Sequence, residues 1–217
     1  MEMKLKVALV FGTRPEAIKM APLVKEIQSR KELEAITIVT AQHRQMLDQV
    51  LELFEITPDY DLNLMKPNQN LWGLTSDVIL QTKEVYEKVR PDIVLVHGDT
   101  TTAGAAALSA YYARIPTGHV EAGLRTFNKD YPFPEEINRV LADAVSDMHF
   151  CPTDRAVENI KNSGIKTPNS IYKTGNTVID ALLYTVNNKE ADLSFVGLNP
   201  SLKTILLTSH RRENFGK

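Results

Sequence analysis

Residues Phe11 to Lys19 read FGTRPEAIK, which crowds an arginine, a proline, a glutamate and a lysine beside one glycine, between the apolar run KVALV and a segment of helical spacing. Thr13 and Glu16 stand in the capping-box relation, in which the threonine accepts from the third helical amide and the glutamate reaches back to the cap amide. Pro15 in the first turn has no helical hydrogen bond to lose, so a helix is expected to start at Arg14. The free amides and dipole of such a start favour an anion. Arg14 adds a bidentate fork and Lys19 a mobile point charge. The chemistry this suggests is the binding of a doubly charged phosphate group. The same letters also describe an ordinary capped helix with two solvated bases, because neither GxGxxG nor GxxxxGK[ST] occurs in the chain.

Carboxylates follow later. Asp99 ends DIVLVHGD, Glu121 ends GHVE, and Glu135 and Glu136 close the proline-containing loop RTFNKDYPFPEE. Carboxylates sharing a partly closed crevice do not all ionise at one pH, which yields an acid and a base from one residue type. Asp99, before three threonines, also suits a helix cap. A metal centre is the other chemistry the spacing allows: His97 with Asp99 and His119 with Glu121 are each two apart on neighbouring strands, a donor set for zinc or manganese. Against it, a histidine inside a parallel strand is often a hydrogen-bonded core residue. Near the end, SHRREN places His210, Arg211, Arg212, Glu213 and Asn214 after an apolar run, as a charged loop or as a second wall suited to a diphosphate.

The elements that must position these groups are legible in the hydrophobic pattern. Apolar runs at 6–11, 35–41, 92–98, 116–122, 147–152 and 170–175 are rich in valine and isoleucine and not strictly alternating, as in strands buried on both faces of a parallel sheet. DYDLNL adds a possible edge strand. Helical stripes lie between them: Met46, Leu47, Val50, Leu51 and Phe54; Val78, Val85 and Val89; Ile137, Val140, Leu141 and Ala144, all expected to face the core. AGAAALSA at 103–110 predicts a helix lying close to the sheet. The expected fold class is α/β, a doubly wound parallel sheet, and the ligand crevice of such a sheet lies where strand order reverses.

The chain has 217 residues, 43% hydrophobic and 24% charged, with net charge −2, which gives no general attraction to nucleic acid or an anionic membrane. Cys151 is the only cysteine, which excludes an internal disulfide and a multi-cysteine zinc site. No stretch approaches the roughly 18 apolar residues of a membrane span, and the start is too quickly charged for a secretory signal, so a cytoplasmic protein is expected. The expected organisation is a Rossmann-like domain over 1–180, a linker over 181–202, and the first strand of a truncated second domain over 203–217.

Taken together, FGTRPEAIKMAPL, TAQHRQMLDQVLELF, PDYDLNLM, VLVHGDTTT, IPTGHVEAGLRT, PFPEEINR, TGNTVIDAL and TSHRREN closely resemble the non-hydrolysing UDP-N-acetylglucosamine 2-epimerases of bacteria and archaea, collinearly from Lys6 to Gly216. The resemblance implies half of a GT-B fold, with an active site in the interdomain cleft. It implies reversible conversion of UDP-N-acetylglucosamine to UDP-N-acetylmannosamine by elimination and re-addition of UDP through 2-acetamidoglucal, for surface-polysaccharide synthesis. No cofactor and no metal is implied. Asp99, Glu121 and Glu135 would form the acid/base set, with Lys19 and His210 catalytic beside them. Arg14, Arg211, Arg212, Glu213 and Asn214 would bind substrate, and Gln42, Gln45 and Gln69 match an activating site for a second UDP-N-acetylglucosamine. A homodimer is expected, with no nucleic-acid or membrane partner. The family's members run more than a hundred residues longer, so this chain alone is expected to turn over negligibly. A GT-B glycosyltransferase and a non-catalytic half-module are the competing readings.

Overall fold

The structure, a computed structural model, describes residues 4–41, 44–66, 69–164, 170–190, 196–197, 199, 201–205 and 207. Strands β1 (Leu5–Phe11), β2 (Leu33–Val39), β3 (Tyr60–Asp61), β4 (Ile93–His97), β5 (Thr117–Val120), β6 (Met148–Cys151) and β7 (Ile171–Lys173) alternate with helices α1 (Arg14–Ser29), α2 (Arg44–Leu53), α3 (Leu71–Val89), α4 (Thr101–Tyr112), α5 (Glu135–Val145), α6 (Asp154–Asn162) and α7 (Val178–Asn188). The strands form one sheet in the order β3-β2-β1-β4-β5-β6-β7. Every pairing is parallel. This is the doubly wound arrangement, and its order reverses between β1 and β4.

Two apolar layers sandwich the sheet because alternate residues of β1 point to opposite faces. Val7, Leu9 and Phe11 join Met20 and Val24 of α1, Leu47 of α2 and Phe54 just after it on one face. Ala8 and Val10 join α3 and α4 on the other, against Val78, Val85, Ala103 and Ala106. The small residues of α4 allow close approach: a Cβ on Gly104 would lie 3.4 Å from the Asn138 carbonyl oxygen of α5. The edge position expected for DYDLNL is occupied by the two-residue β3, hydrogen-bonded to β2.

Two of the helical stripes differ from expectation. Met46 of the first stripe is exposed while Leu47, Val50, Leu51 and Phe54 are buried. The third stripe faces outward: Ile137 is 48% and Val140 40% exposed and Ala144 is also exposed, whereas Glu136, Ala142 and Asp143 are buried. The physical reason is that α5 turns its polar face to the sheet ends, where charged partners wait for it. Helix α7 runs through residue 180, burying Ala181 and stacking Tyr184 on Phe54 at 5.0 Å, so it packs with the sheet domain. Of the strand expected from Lys203, the described residues 203–205 and 207 adopt no strand, and 208–217 lie outside the described residues.

Candidate active site

The turn after β1 carries the expected capping box. Thr13 Oγ1 accepts from the Glu16 amide at 3.5 Å, and Glu16 Oε2 accepts from the amides of Gly12 at 3.0 Å and Thr13 at 2.7 Å. Glu16 Oε1 also takes the Thr100 hydroxyl at 2.6 Å, which ties α1 to the start of α4. Burial pushes the Glu16 carboxyl up, against the opposing hydrogen bonds of Thr100, Thr13 and Gly12. These contacts narrow the anion-binding expectation: the turn's own carboxylate already engages amides that a phosphate would use, and Pro15 has none. The single glycine is explained by crowding, because a Cβ on Gly12 would sit 1.9 Å from Thr40 Oγ1 and 2.8 Å from Thr102 Oγ1.

Lys19 lies one turn further along α1 and reaches across the switch point. Its Nζ is 2.7 Å from both Glu121 Oε1 and Oε2, with both side chains mostly buried. Asn176, in the connector from β7 to α7, donates from Nδ2 to Glu121 Oε1 at 2.8 Å. Its Oδ1 accepts from the Val178 amide at 3.0 Å, so one side chain holds both the helix start and the carboxylate. His97 Nε2 lies 3.2 Å from Glu121 Oε2 without hydrogen-bonding alignment, and neither His97 ring nitrogen has a hydrogen-bond partner among the described residues. Burial first, then the charges of Lys19 and His119, hold the His97 imidazole down at about 3, so it is neutral. Glu121 itself sits at φ +65°, a left-handed conformation costing a side-chain-bearing residue roughly 1–2 kcal/mol. Such strain persists where surrounding contacts over-determine it, and Glu121 has them.

The Asp99 carboxylate pairs with Arg139 of α5. Asn138 Nδ2 donates to the Asp99 carbonyl at 3.0 Å. Arg139 also lies 3.4 Å from Glu136. Of the acidic pair, Glu136 is structural: its oxygens accept from the amides of Thr126 at 3.1 Å and Phe127 at 3.0 Å, pinning the loop that contains the cis bonds Tyr131–Pro132 and Phe133–Pro134. The side chain of Glu135, half-buried at the start of α5, has no hydrogen bond or ion pair among the described residues. Arg14 is exposed and likewise without such a partner among them. Its guanidinium is available to a ligand.

Beneath these groups, His119 is fully buried with Nδ1 2.5 Å from Asp143 Oδ1 and Nε2 2.7 Å from the Gly98 carbonyl oxygen. Both nitrogens are therefore engaged and unavailable to the metal centre that the spacing of His97, Asp99, His119 and Glu121 allows. Arg125 donates to the other Asp143 oxygen. Burial would raise the Asp143 carboxyl, yet the charges and hydrogen bonds of His119 and Arg125 outweigh it and hold it below the usual carboxylate value.

Gln45 is exposed in the first turn of α2, and Gln69 donates from Nε2 to the Leu64 carbonyl at 2.7 Å. Gln42, His210, Arg211, Arg212, Glu213 and Asn214 lie outside the described residues. Arg125, Arg139, Asp143 and Asn176 are site residues that the sequence reading does not name. For Arg139 and Asp143 the signal is the spacing of Glu136, Arg139 and Asp143 along one helical face. For Asn176 it is a polar residue just beyond a parallel strand.

A parallel doubly wound sheet with an ion-paired carboxylate at its strand ends defines the class of α/β domains whose ligand crevice lies at the switch point of strand order. The sequence profile described as UDP-N-acetylglucosamine 2-epimerase matches residues 25–217, and the chain belongs to that family. It is similar to the UDP-N-acetylglucosamine 2-epimerase of Bacillus subtilis, 55% identical over 216 residues, covering 99% of this chain and 56% of the relative. It is also similar to the Neisseria meningitidis epimerase solved with UDP-GlcNAc, at TM-score 0.80 and 53% identity over 84% of this chain and 50% of that one. The Methanocaldococcus jannaschii enzyme solved with UDP-GlcNAc and UDP matches at TM-score 0.77 and 37% identity, over 82% of this chain and 49% of its own. A lipopolysaccharide outer core galactosyltransferase shares the fold alone, at TM-score 0.56 and 12% identity over 78% of this chain and 45% of that one. The chain spans about half the length of the curated relatives it matches.

Proposed function

We propose that this chain supplies the acid/base half of a UDP-N-acetylglucosamine 2-epimerase. The observation that carries the reading is the Glu121 carboxylate, gripped by Lys19 and Asn176 and touched by neutral His97. In the proposed reaction a carboxylate of the set Asp99, Glu121 and Glu135 removes the proton at C2 as the C1–O bond to UDP breaks, leaving 2-acetamidoglucal and free UDP. A proton returned to the opposite face of C2, with UDP re-adding at C1, gives UDP-N-acetylmannosamine. Lys19, Arg14 and His210 stabilise charge developing on UDP, as preorganised cations do for a leaving group. Arg211, Arg212, Glu213 and Asn214 are assigned to substrate binding from the resemblance alone.

The wider reading comprises a homodimer, an activating UDP-N-acetylglucosamine site at Gln42, Gln45 and Gln69, and a cytoplasmic location in surface-polysaccharide synthesis. Exposed Trp72 and Leu80 on α3 and Tyr111 and Tyr112 on α4 support the dimer, and light scattering tests it. No helix among the described residues is long and apolar enough to cross a membrane. The packing of α7, through the stack of Tyr184 on Phe54, supports a sheet domain that runs on past residue 180 to the end of that helix.

The chemical test uses a chimera of residues 1–217 with the remaining length of the Bacillus subtilis relative. In deuterium oxide with UDP-N-acetylglucosamine and no acceptor, the expected product is UDP-N-acetylmannosamine carrying deuterium at C2. Turnover only with an added acceptor would instead indicate a glycosyltransferase, and free N-acetylmannosamine a hydrolysing epimerase.

A further inference from the structure

Two histidines sit opposite each other on β5 and β6, His119 and His149, both fully buried and in register. Their hydrogen bonds set them apart. His149 Nε2 donates to the Asp143 carbonyl at 2.9 Å and its Nδ1 has no partner among the described residues, the pattern of a neutral ring. His119 faces an acceptor at each nitrogen: the Asp143 carboxylate and the Gly98 carbonyl. A carbonyl cannot donate, and a carboxylate bound to the Arg125 guanidinium has no proton to give. His119 must donate from both nitrogens, as only an imidazolium does.

We propose that His119 is a positioning residue for the site, a doubly protonated ring that ties the end of β4 to α5 and thereby sets the reach of Asp99 and Glu121. The groups facing it are His97 and the Gly98 carbonyl from β4, Asp143 from α5, Arg125 from the loop after β5, and neutral His149 from β6. Gly98, at φ +68°, is the residue before Asp99, and its amide is held by the Val120 carbonyl at 2.9 Å, the residue before Glu121. His119 therefore holds the peptide from which Asp99 departs, and Gly98 in turn is bonded to the residue before Glu121. On the far side, Asp143 accepts from the Gly123 amide at 3.4 Å, fixing the chain just after Glu121. The left-handed Glu121 is bracketed by contacts that converge on this ring and its counter-ion.

The proposal rests on reading Asp99 and Glu121 as members of the acid/base set, yet its test needs no turnover, so failure of one is distinguishable from failure of the other. Long-range proton–nitrogen correlation spectra of the ¹⁵N-labelled chain at neutral pH count ring protons directly. Two protonated nitrogens are expected on His119 and one on His149. A bare nitrogen on His119 overturns the inference. Asp143→Asn keeps the shape and removes the counter-charge: His119 should lose one ring proton, and the Asn176 side-chain amide, which reports on Glu121, should shift while signals from β2 and β3 stay in place. An unmoved Asn176 signal after loss of that proton would show that His119 does not position the site. Should that variant fail to fold, His119→Gln reaches only one of the two acceptors, and the same displacement of the Asn176 signal is expected, with an unmoved signal again contradicting the proposal.

Discussion

Lys19 holds both oxygens of a mostly buried carboxylate, so replacing it by methionine removes the cation and strands the anion. Leaving such a group unsatisfied costs about 1–3 kcal/mol, and Lys19→Met should lower the urea midpoint accordingly without changing the slope. His97 predicts an acid limb. Its unfolded-state value is 6.5 and burial holds the folded ring at about 3, so below pH 6.5 the unfolded chain binds a proton that the native state refuses. Stability is therefore lost as pH falls from about 6.5 towards 3, by up to about 1.4 kcal/mol per unit. Asp143 and His149, both lowered, act in the same direction. Glu16, raised by burial, acts oppositely, because the folded state then takes up the proton first. Urea unfolding across this range should give a flatter profile for His97→Gln than for the parent chain, and an identical slope would contradict a buried neutral imidazole.

Among the elements, the β1–α1 turn and α5 make distinct predictions. Gly12→Ala forces a methyl against Thr40 Oγ1 and should cost about 1–3 kcal/mol, as overpacking does. Adding Thr40→Ala should recover part of that loss, a coupling that a double-mutant cycle measures. On α5, Val140→Lys should change stability by no more than about 0.5 kcal/mol, because that face is exposed, whereas Ala142→Leu should cost about 1–3 kcal/mol. The opposite ranking would restore the inward apolar stripe. The apolar runs made six strands legible because burial on both sheet faces leaves a signal in every residue. Helix α5 misleads for an electrostatic reason: Asp99, His119, Arg125 and the Thr126 and Phe127 amides attract Asp143, Glu136 and Arg139 inward, and a count of apolar positions gives those partners no weight.

At the scale of the molecule, the strand order explains why residues far apart in sequence meet. The order β1-β4-β5 brings Lys19, after β1, within 2.7 Å of Glu121, after β5. The partner assignment was not legible, since Arg139 and Asn176 come from elements whose placement depends on the finished sheet. The capping box was legible because it is local. Incubated alone with UDP-N-acetylglucosamine, the chain should turn over negligibly, since it spans about half the length of the relatives it matches.

The central claim is that Glu121, held by Lys19 and Asn176 beside neutral His97, takes part in proton transfer at C2. The most direct measurement is solvent deuterium incorporation at C2 by the chimera, with and without Glu121→Gln. Loss of a general acid or base typically slows proton transfer about 10²–10⁴-fold, and the substituted chimera should fall in that range while remaining folded. Deuterium entering C2 at the parent rate in a folded Glu121→Gln chimera would contradict the account.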